Sequence, residues 1–159
     1  MSSAAVRLDP YRAFNFVITL VDSGGALTAT PGAIGSTPVG GFSECSGLEM
    51  SLDIEEYREG GNNGLVLKFP SRIKWANLHL KRGVTTSDDL WLWHYAFVQG
   101  QVQRRDGTVA LQDEEHNFVK VWEFFGGLPV KWTGPTMNAA QAQVAIEELE
   151  IAHHGLRLL

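Results

Sequence analysis

Apolar and polar positions alternate along most of the chain. In RAFNFVITL, residues 12–20, Phe14, Phe16, Ile18 and Leu20 fall on one side, with Ala13, Asn15, Val17 and Thr19 on the other. A period of two over this length predicts a strand with one face on a core. The stretch 42–64, FSECSGLEMSLDIEEYREGGNNG, starts as a strand with an acid and hydroxyl face and runs into a charged, glycine-rich loop. Within it, Leu48, Met50, Leu52 and Ile54 share one face of a strand, and Glu49, Ser51, Asp53 and Glu55 share the other. The loop residues EGGNNG tolerate positive φ. Leu65 to Phe69 form the returning strand, which Pro70 is expected to end. Residues 73–82, IKWANLHLKR, put Ala76, Leu78 and Leu80 opposite Trp75, Asn77, His79 and Lys81.

The period changes once. Thr86 or Ser87 is placed to cap a helix, and Asp88 and Asp89 sit in its first turn, where the helix dipole favours negative charge. Leu90, Trp93 and Phe97, with the neighbouring Trp91 and His94, recur at helical spacing, and Gly100 is placed to end the helix. A single helix on a β domain must bury one face, so the aromatic stripe is read as core. Strands follow at 101–112 and 117–125 around a turn at Glu114–His116, and the second is apolar on both faces, as for a strand buried twice or at a subunit interface. Residues 126–140 are turn-rich. The last strand changes phase between Val144 and Ile146 and Leu149 and Ile151, which predicts a β-bulge near Glu147 and Glu148. The expected fold is mainly β (α+β), an antiparallel β-barrel or sandwich of about seven or eight strands with one flanking α-helix.

With 159 residues the chain fits a single domain spanning 1–159. The stretch 22–41, DSGGALTATPGAIGSTPVGG, is a Gly/Ser/Thr/Pro-rich loop insertion within it. Hydrophobic residues at 44% and charged residues at 19% are ordinary for a globular chain. A net charge of −5 argues against general or sequence-specific nucleic-acid binding, which needs a surplus of Lys and Arg. Cys45 is the one cysteine, so no internal disulfide forms and the fold does not depend on an oxidising compartment. MSSAAVRLDPYRAF has no continuous apolar run, so no signal peptide is expected. No stretch approaches the roughly 20 apolar residues of a membrane helix, so no membrane insertion is expected.

The candidate chemistries are weak. REGGNNG lacks the lysine and hydroxyl of a P-loop. Cys45 neighbours Glu44, which raises a thiol pKa rather than activating it. His153 and His154 are adjacent on a strand and face opposite sides, and His79, His94 and His116 lie on separate elements without metal-ligand spacing. The carboxylates of Glu55, Glu56, Glu59, Glu114 and Glu115 sit beside turns, where acids are mostly solvated or at polar interfaces. No enzyme activity, catalytic residue, metal or cofactor is expected.

The stretch FSECSGLEMSLDIEEYREGGNN resembles the tube proteins of contractile phage tails and of related contractile injection systems, in which a strand ending near SGL precedes one ending in YREGG. SRIKWANLHLKRGVTTSDDLWLWHYAF resembles the family's block of strand, LKRG, short loop and Trp-bearing helix. FFGGLPVKWTGPTMNAAQAQVAIEELEIAHHGL resembles its closing P-x-K-W-x-G-P segment and EELEIAHHG strand. The resemblance covers 10–159 and is weakest over 22–41. It implies a β-barrel with a flanking helix, hexameric rings stacked into a hollow tube inside a contractile sheath, and DNA or protein cargo in the lumen. The implied partners are further copies of the chain, sheath protein and a baseplate or spike hub. The implied place is a particle assembled in the bacterial cytoplasm, as a phage tail or a released or membrane-anchored injection particle.

Under this reading Tyr57, Arg58, Glu59, Gly60, Gly61, Asn62 and Asn63 form a loop that joins stacked rings. Glu49, Ser51, Asp53 and Glu55 are the expected lumen face. Two alternatives stay open: a baseplate-proximal tube initiator joining spike hub to tube, and a hexameric carrier that binds ligands or effectors, related to the type VI secretion tube protein.

Overall fold

The computed structural model describes residues 11–22, 41–61 and 64–159, so most of the 22–41 insertion, and Asn62 and Asn63, lie outside the described residues. In chain order the elements are β1 (Phe16–Asp22), β2 (Phe42–Ser46), β3 (Met50–Arg58), β4 (Val66–Trp75), β5 (Leu78–Gly83), α1 (Asp89–Val98), β6 (Arg105–Gln112), β7 (Phe118–Thr133), β8 (Ile146–Ala152) and β9 (Gly155–Leu158). Among the described residues, seven strands form one antiparallel sheet in the order β1-β6-β7-β8-β5-β2, with β9 also on β7, while β3 and β4 pair only with each other.

The bend in the main sheet is made by β7. Its first half pairs with β6 and β9, and its second half, Leu128–Thr133, pairs with β8. The switch falls at Gly126, which has φ +62° and whose N–H donates to Asp106 Oδ1 at 2.7 Å. A Cβ there would lie 2.8 Å from His154 Nδ1, so both conformation and space call for glycine. The two halves fold over one core. Ile18, Leu20, Val109 and Phe124 come from one side, Leu78, Leu80, Leu149 and Ile151 from the other, and Leu90 and Trp93 of α1 complete it. Burial of each such side chain contributes about 1.5–3 kcal/mol. Among the described residues the path ends at β1 and β2 without pairing them, so the body is an open bent sandwich rather than a closed barrel.

Of the face predicted for 12–20, Ile18 and Leu20 are inside and Phe16 packs on the core, while Phe14 precedes β1 and is exposed. On α1, Leu90 and Trp93 are buried and Phe97 packs on the core. Asp88 occupies the N-cap position without a capping side-chain bond, while Ser87 Oγ donates to Asp89 Oδ2 at 2.7 Å and accepts a long 3.5 Å bond from the Asp89 N–H. Gly100 follows the helix with φ +76°.

Several strand readings depart from the sequence pattern: β1 starts at Phe16 rather than at residue 12 and β6 at Arg105 rather than at 101, and three further differences have a physical reason. Pro70 does not end β4, which runs through it because the proline sits at an irregular register on a two-stranded ribbon, where a missing donor is tolerated. The segment after Gly126 continues β7 to Thr133 instead of breaking into turns, since β8 supplies its pairing partner. No bulge interrupts β8: its register against β5 runs unbroken from Gly83↔Ile146 to Leu78↔Ile151. Glu147 holds an inward position with Leu149 and Ile151, and the shift in parity resolves as a buried acid rather than an extra residue.

Candidate functional site

The β3–β4 ribbon grows out of the main sheet. On the body side, β2 pairs with β5 through Ser46↔His79; on the far side, β3 pairs with β4 starting at Met50↔Trp75. The two pairs therefore make one long ribbon with a break at 47–49 and 76–77. Gly47 forms that break, with φ +91°, and a Cβ on it would sit 1.9 Å from the Asn77 carbonyl oxygen. Ala76 N–H then donates to the Glu49 carbonyl at 3.2 Å. Asn77 Nδ2 donates to Glu150 Oε1 at 2.7 Å, and His153 Nε2 donates to the Ala76 carbonyl at 2.9 Å, which pins the root of the ribbon to β8 and the segment after it.

Beyond this root the ribbon is an arm that nothing in the described residues covers. Met50 is 72% exposed, Leu52 49%, Ile54 56% and Ile73 64%, although their spacing gives the expected apolar face. That face does not rest on the chain's own core as the alternation implies. It continues the core's end outward: Trp75 shares it, and the Trp75 ring lies 6.2 Å from that of His153, which in turn lies 6.2 Å from Phe124. A two-stranded ribbon is marginal by itself in water and needs a packed face.

Of the expected lumen residues, Ser51, Asp53 and Glu55 lie together on the opposite face of β3, and Glu49 precedes the strand with its side chain exposed. Asp53 pairs with Lys74 Nζ at 2.6 Å. Of the expected stacking residues, Tyr57 and Arg58 end β3, and Glu59, Gly60 and Gly61 begin the turn at the arm's tip, where Gly61 has φ +107°. The strand alternation in β3 was enough to find this face. The contribution of β4 was not: Phe69 and Ile73 stand 50% and 64% exposed, and Pro70 between them disguised a continuous strand.

The outward face of β2, β5 and β8 is polar. Lys81 Nζ sits 3.2 Å from Glu44 and 3.7 Å from Glu148, and these carboxylates, Glu44 foremost, hold its ammonium above its ordinary pKa. A shallow cleft of about 240 Å³ opens there, lined by these groups with His79, Lys131 and Glu150. Burial, with Glu44 beside it, pushes the Cys45 thiol up to about 11, so it is no nucleophile at neutral pH. His153 bonds Ala76, while His154 meets Arg104 Nη1 at 3.0 Å, so the two rings serve separate partners. No group of three or more His, Cys, Asp or Glu able to hold a metal occurs among the described residues. No helix among them is long and apolar enough to cross a membrane.

Comparison with solved structures places this architecture. A chain in the cryo-EM structure of the anti-feeding prophage (AFP) baseplate, 6-fold symmetrised, is 26% identical, with a TM-score of 0.78 over 100% of this chain and 97% of that one. A chain of the sheath/tube terminator of an extracellular contractile injection system, PVC, in the extended state, shares the fold at 23% identity and a TM-score of 0.80, covering 98% and 99%. A type six secretion system protein is more distant, at 15% identity and a TM-score of 0.55 over 92% and 83%. Curated protein sequences give no match. The family model of the T4-like virus tail tube protein gp19 matches residues 12–157, nearly the whole chain, and the chain therefore belongs to this family of tail tube proteins.

Proposed function

We propose that copies of this chain close into hexameric rings, and that the rings stack into the hollow inner tube of a contractile injection system or contractile phage tail. The observation that carries this is the arm, whose apolar face needs a cover that the described residues do not supply. A neighbouring copy provides it through a head-to-tail contact, which makes a closed ring when its rotation closes. The strands at the two ends of the main sheet, β1 and β2, have hydrogen-bonding edges to offer, and pairing between copies removes such edges. Tyr57 to Gly61, where β3 ends and the turn at the arm's tip begins, join one ring to the next together with Asn62 and Asn63 that follow in sequence, with Arg58 and Glu59 setting register by charge. Glu49, Ser51, Asp53 and Glu55, opposite the apolar face, line a watery lumen.

Partners follow from this placement: further copies of the chain, a sheath around the tube, a baseplate or spike hub at its end, and protein or DNA cargo within. The similarity to chains of sheath–tube, baseplate and cap assemblies supports the first three of these partners. Synthesis in the bacterial cytoplasm precedes assembly into the particle. The 26% match within a baseplate also favours a second reading, a tube initiator that stops at one ring and binds the hub.

Negative-stain microscopy of the purified protein across a concentration series, with light scattering, tests both. Stacked six-fold rings support the tube body. Single rings that extend only onto a hub support the initiator. A protein that stays monomeric at high concentration and binds a small ligand saturably would move the assignment to a carrier.

A further inference from the structure

The apolar stripe of the arm changes faces partway along it. Leu52 pairs with Ile73, but Ile54 pairs with Pro70, so Asp53 alone opposes Ser71 and Arg72. One extra residue on β4 reverses the facing of every β4 side chain beyond it. Near the body, Met50, Leu52, Ile73 and Trp75 share the first face, while the ion-paired Asp53 and Lys74 occupy the second. Toward the tip the pattern inverts. There the second face carries Phe69, Leu67 and Tyr57 past Glu55, which closes the polar half of that face, and the first carries Glu56 and Arg58, with Lys68 Nζ 4.0 Å from Glu56, between Ile54 and Pro70 at the crossover and Val66 at the end. The large apolar side chains thus lie on the first face from Met50 to Ile54 and on the second from Phe69 to Tyr57, while most of the charged ones take the opposite faces.

We infer that the arm is a two-sided joint: its root half binds a neighbour in the same ring through the first face, and its tip half binds a copy in the adjacent ring through the second. A ribbon whose apolar face stayed on one side would suit one partner. A stripe that crosses over needs cover on opposite sides at different distances from the body. The nine residues of β3 span about 26–30 Å, long enough for the tip to reach a subunit that the root does not touch. The root face adjoins the body's own core through Trp75 and His153, so its cover is a copy that abuts the body. A tube needs two such non-equivalent contacts, one closing the ring and one repeating along the axis. This rests on the tube reading above and assigns the two contacts to two sets of residues.

Two variants of the full chain separate them. Ile73→Asp charges the root face and Phe69→Asp charges the tip face. Both positions are exposed, so the monomer should melt as wild type does. Microscopy and sedimentation should find Ile73→Asp as monomers, with ring content down at least about ten-fold, and Phe69→Asp as single rings that do not stack. Leu52→Asn and Leu67→Asn should repeat the two phenotypes. If wild type forms tubes and both sites give the same defect, or the defects are exchanged, the two-sided joint is wrong while the tube reading stands. If wild type never assembles, both fall.

Discussion

Arg82 Nε donates a 2.5 Å hydrogen bond to Glu147 Oε1 inside the body, with the Arg82 side chain 1% and the Glu147 side chain 7% exposed. The pair is held by its surroundings: Trp132 Nε1 donates to Glu147 Oε2 at 3.0 Å, and Arg82 Nη2 donates to the Ser87 carbonyl just before α1. It ties β5, β8, the second half of β7 and the entry to the helix at one point. A buried ion pair adds little net stability relative to an apolar pair, but breaking it leaves a charge without compensation.

Arg82→Ala should therefore cost about 3–5 kcal/mol in urea unfolding, because Glu147 stays buried with only the Trp132 N–H as donor. The double variant Arg82→Met, Glu147→Leu should recover most of that loss. It should still fall short of wild type by about 1–3 kcal/mol, since Trp132 Nε1 then has no acceptor. A double variant as damaged as the single one would show that the charges, rather than their mutual satisfaction, hold this corner.

Gly47→Ala is the corresponding test of the arm's root. The alanine would need φ near +91° and would place Cβ 1.9 Å from the Asn77 carbonyl oxygen, a backbone atom that cannot swing aside. Strained φ costs about 1–3 kcal/mol before the clash is counted. The expected result is a lower melting temperature together with loss of rings. Wild-type assembly by the variant would mean that the arm's direction does not depend on this turn.

The strand faces of 12–20 and of 78–80, and the helix stripe of Leu90 and Trp93, were legible in the sequence because each meets the chain's own core. The face of Leu48, Met50, Leu52 and Ile54 was legible as apolar, but alternation states only that a face avoids water, not whose surface covers it. Glu147 was misread as a bulge because a buried acid looks polar in sequence, and its compensating Arg82 lies 65 residues away. The crossover at Asp53 was hidden because register against β4 is a property of the pairing, and neither strand shows it alone.

His153 makes stability depend on pH at the arm's root. Its Nδ1 is buried with no well-aligned hydrogen-bond partner, and burial holds the ring's pKa below its ordinary 6.5, outweighing the Ala76 and Gly155 backbone groups that favour the charged form. With the folded pKa depressed, the unfolded chain takes up the proton first. Stability is thus complete above about pH 6.5 and falls as the pH drops below it, until the folded protein also titrates. Denaturation midpoints from pH 7.5 to 5 should decline in wild type and decline less in His153→Gln, whose amide can still donate to Ala76. Parallel profiles for the two proteins would assign the acid loss to other groups.

Cys45 gives the last expectation, about reactivity rather than strength. It packs against the core from β2, where loss of water around the thiolate and the nearby Glu44 charge both disfavour ionisation, so its pKa is pushed up to about 11. An unperturbed thiol near 8.5 is about half ionised at pH 8.5, whereas this one should be ionised in only a few molecules per thousand. Because the thiolate is the reacting species, iodoacetamide at pH 8.5 should modify the folded protein on the order of 100-fold more slowly than the same protein in urea. Glu44→Gln should raise the folded rate only slightly, since burial is the larger cause. A large gain on removing Glu44 would instead make the neighbouring charge the main restraint, and a folded rate equal to the unfolded one would place Cys45 in open water.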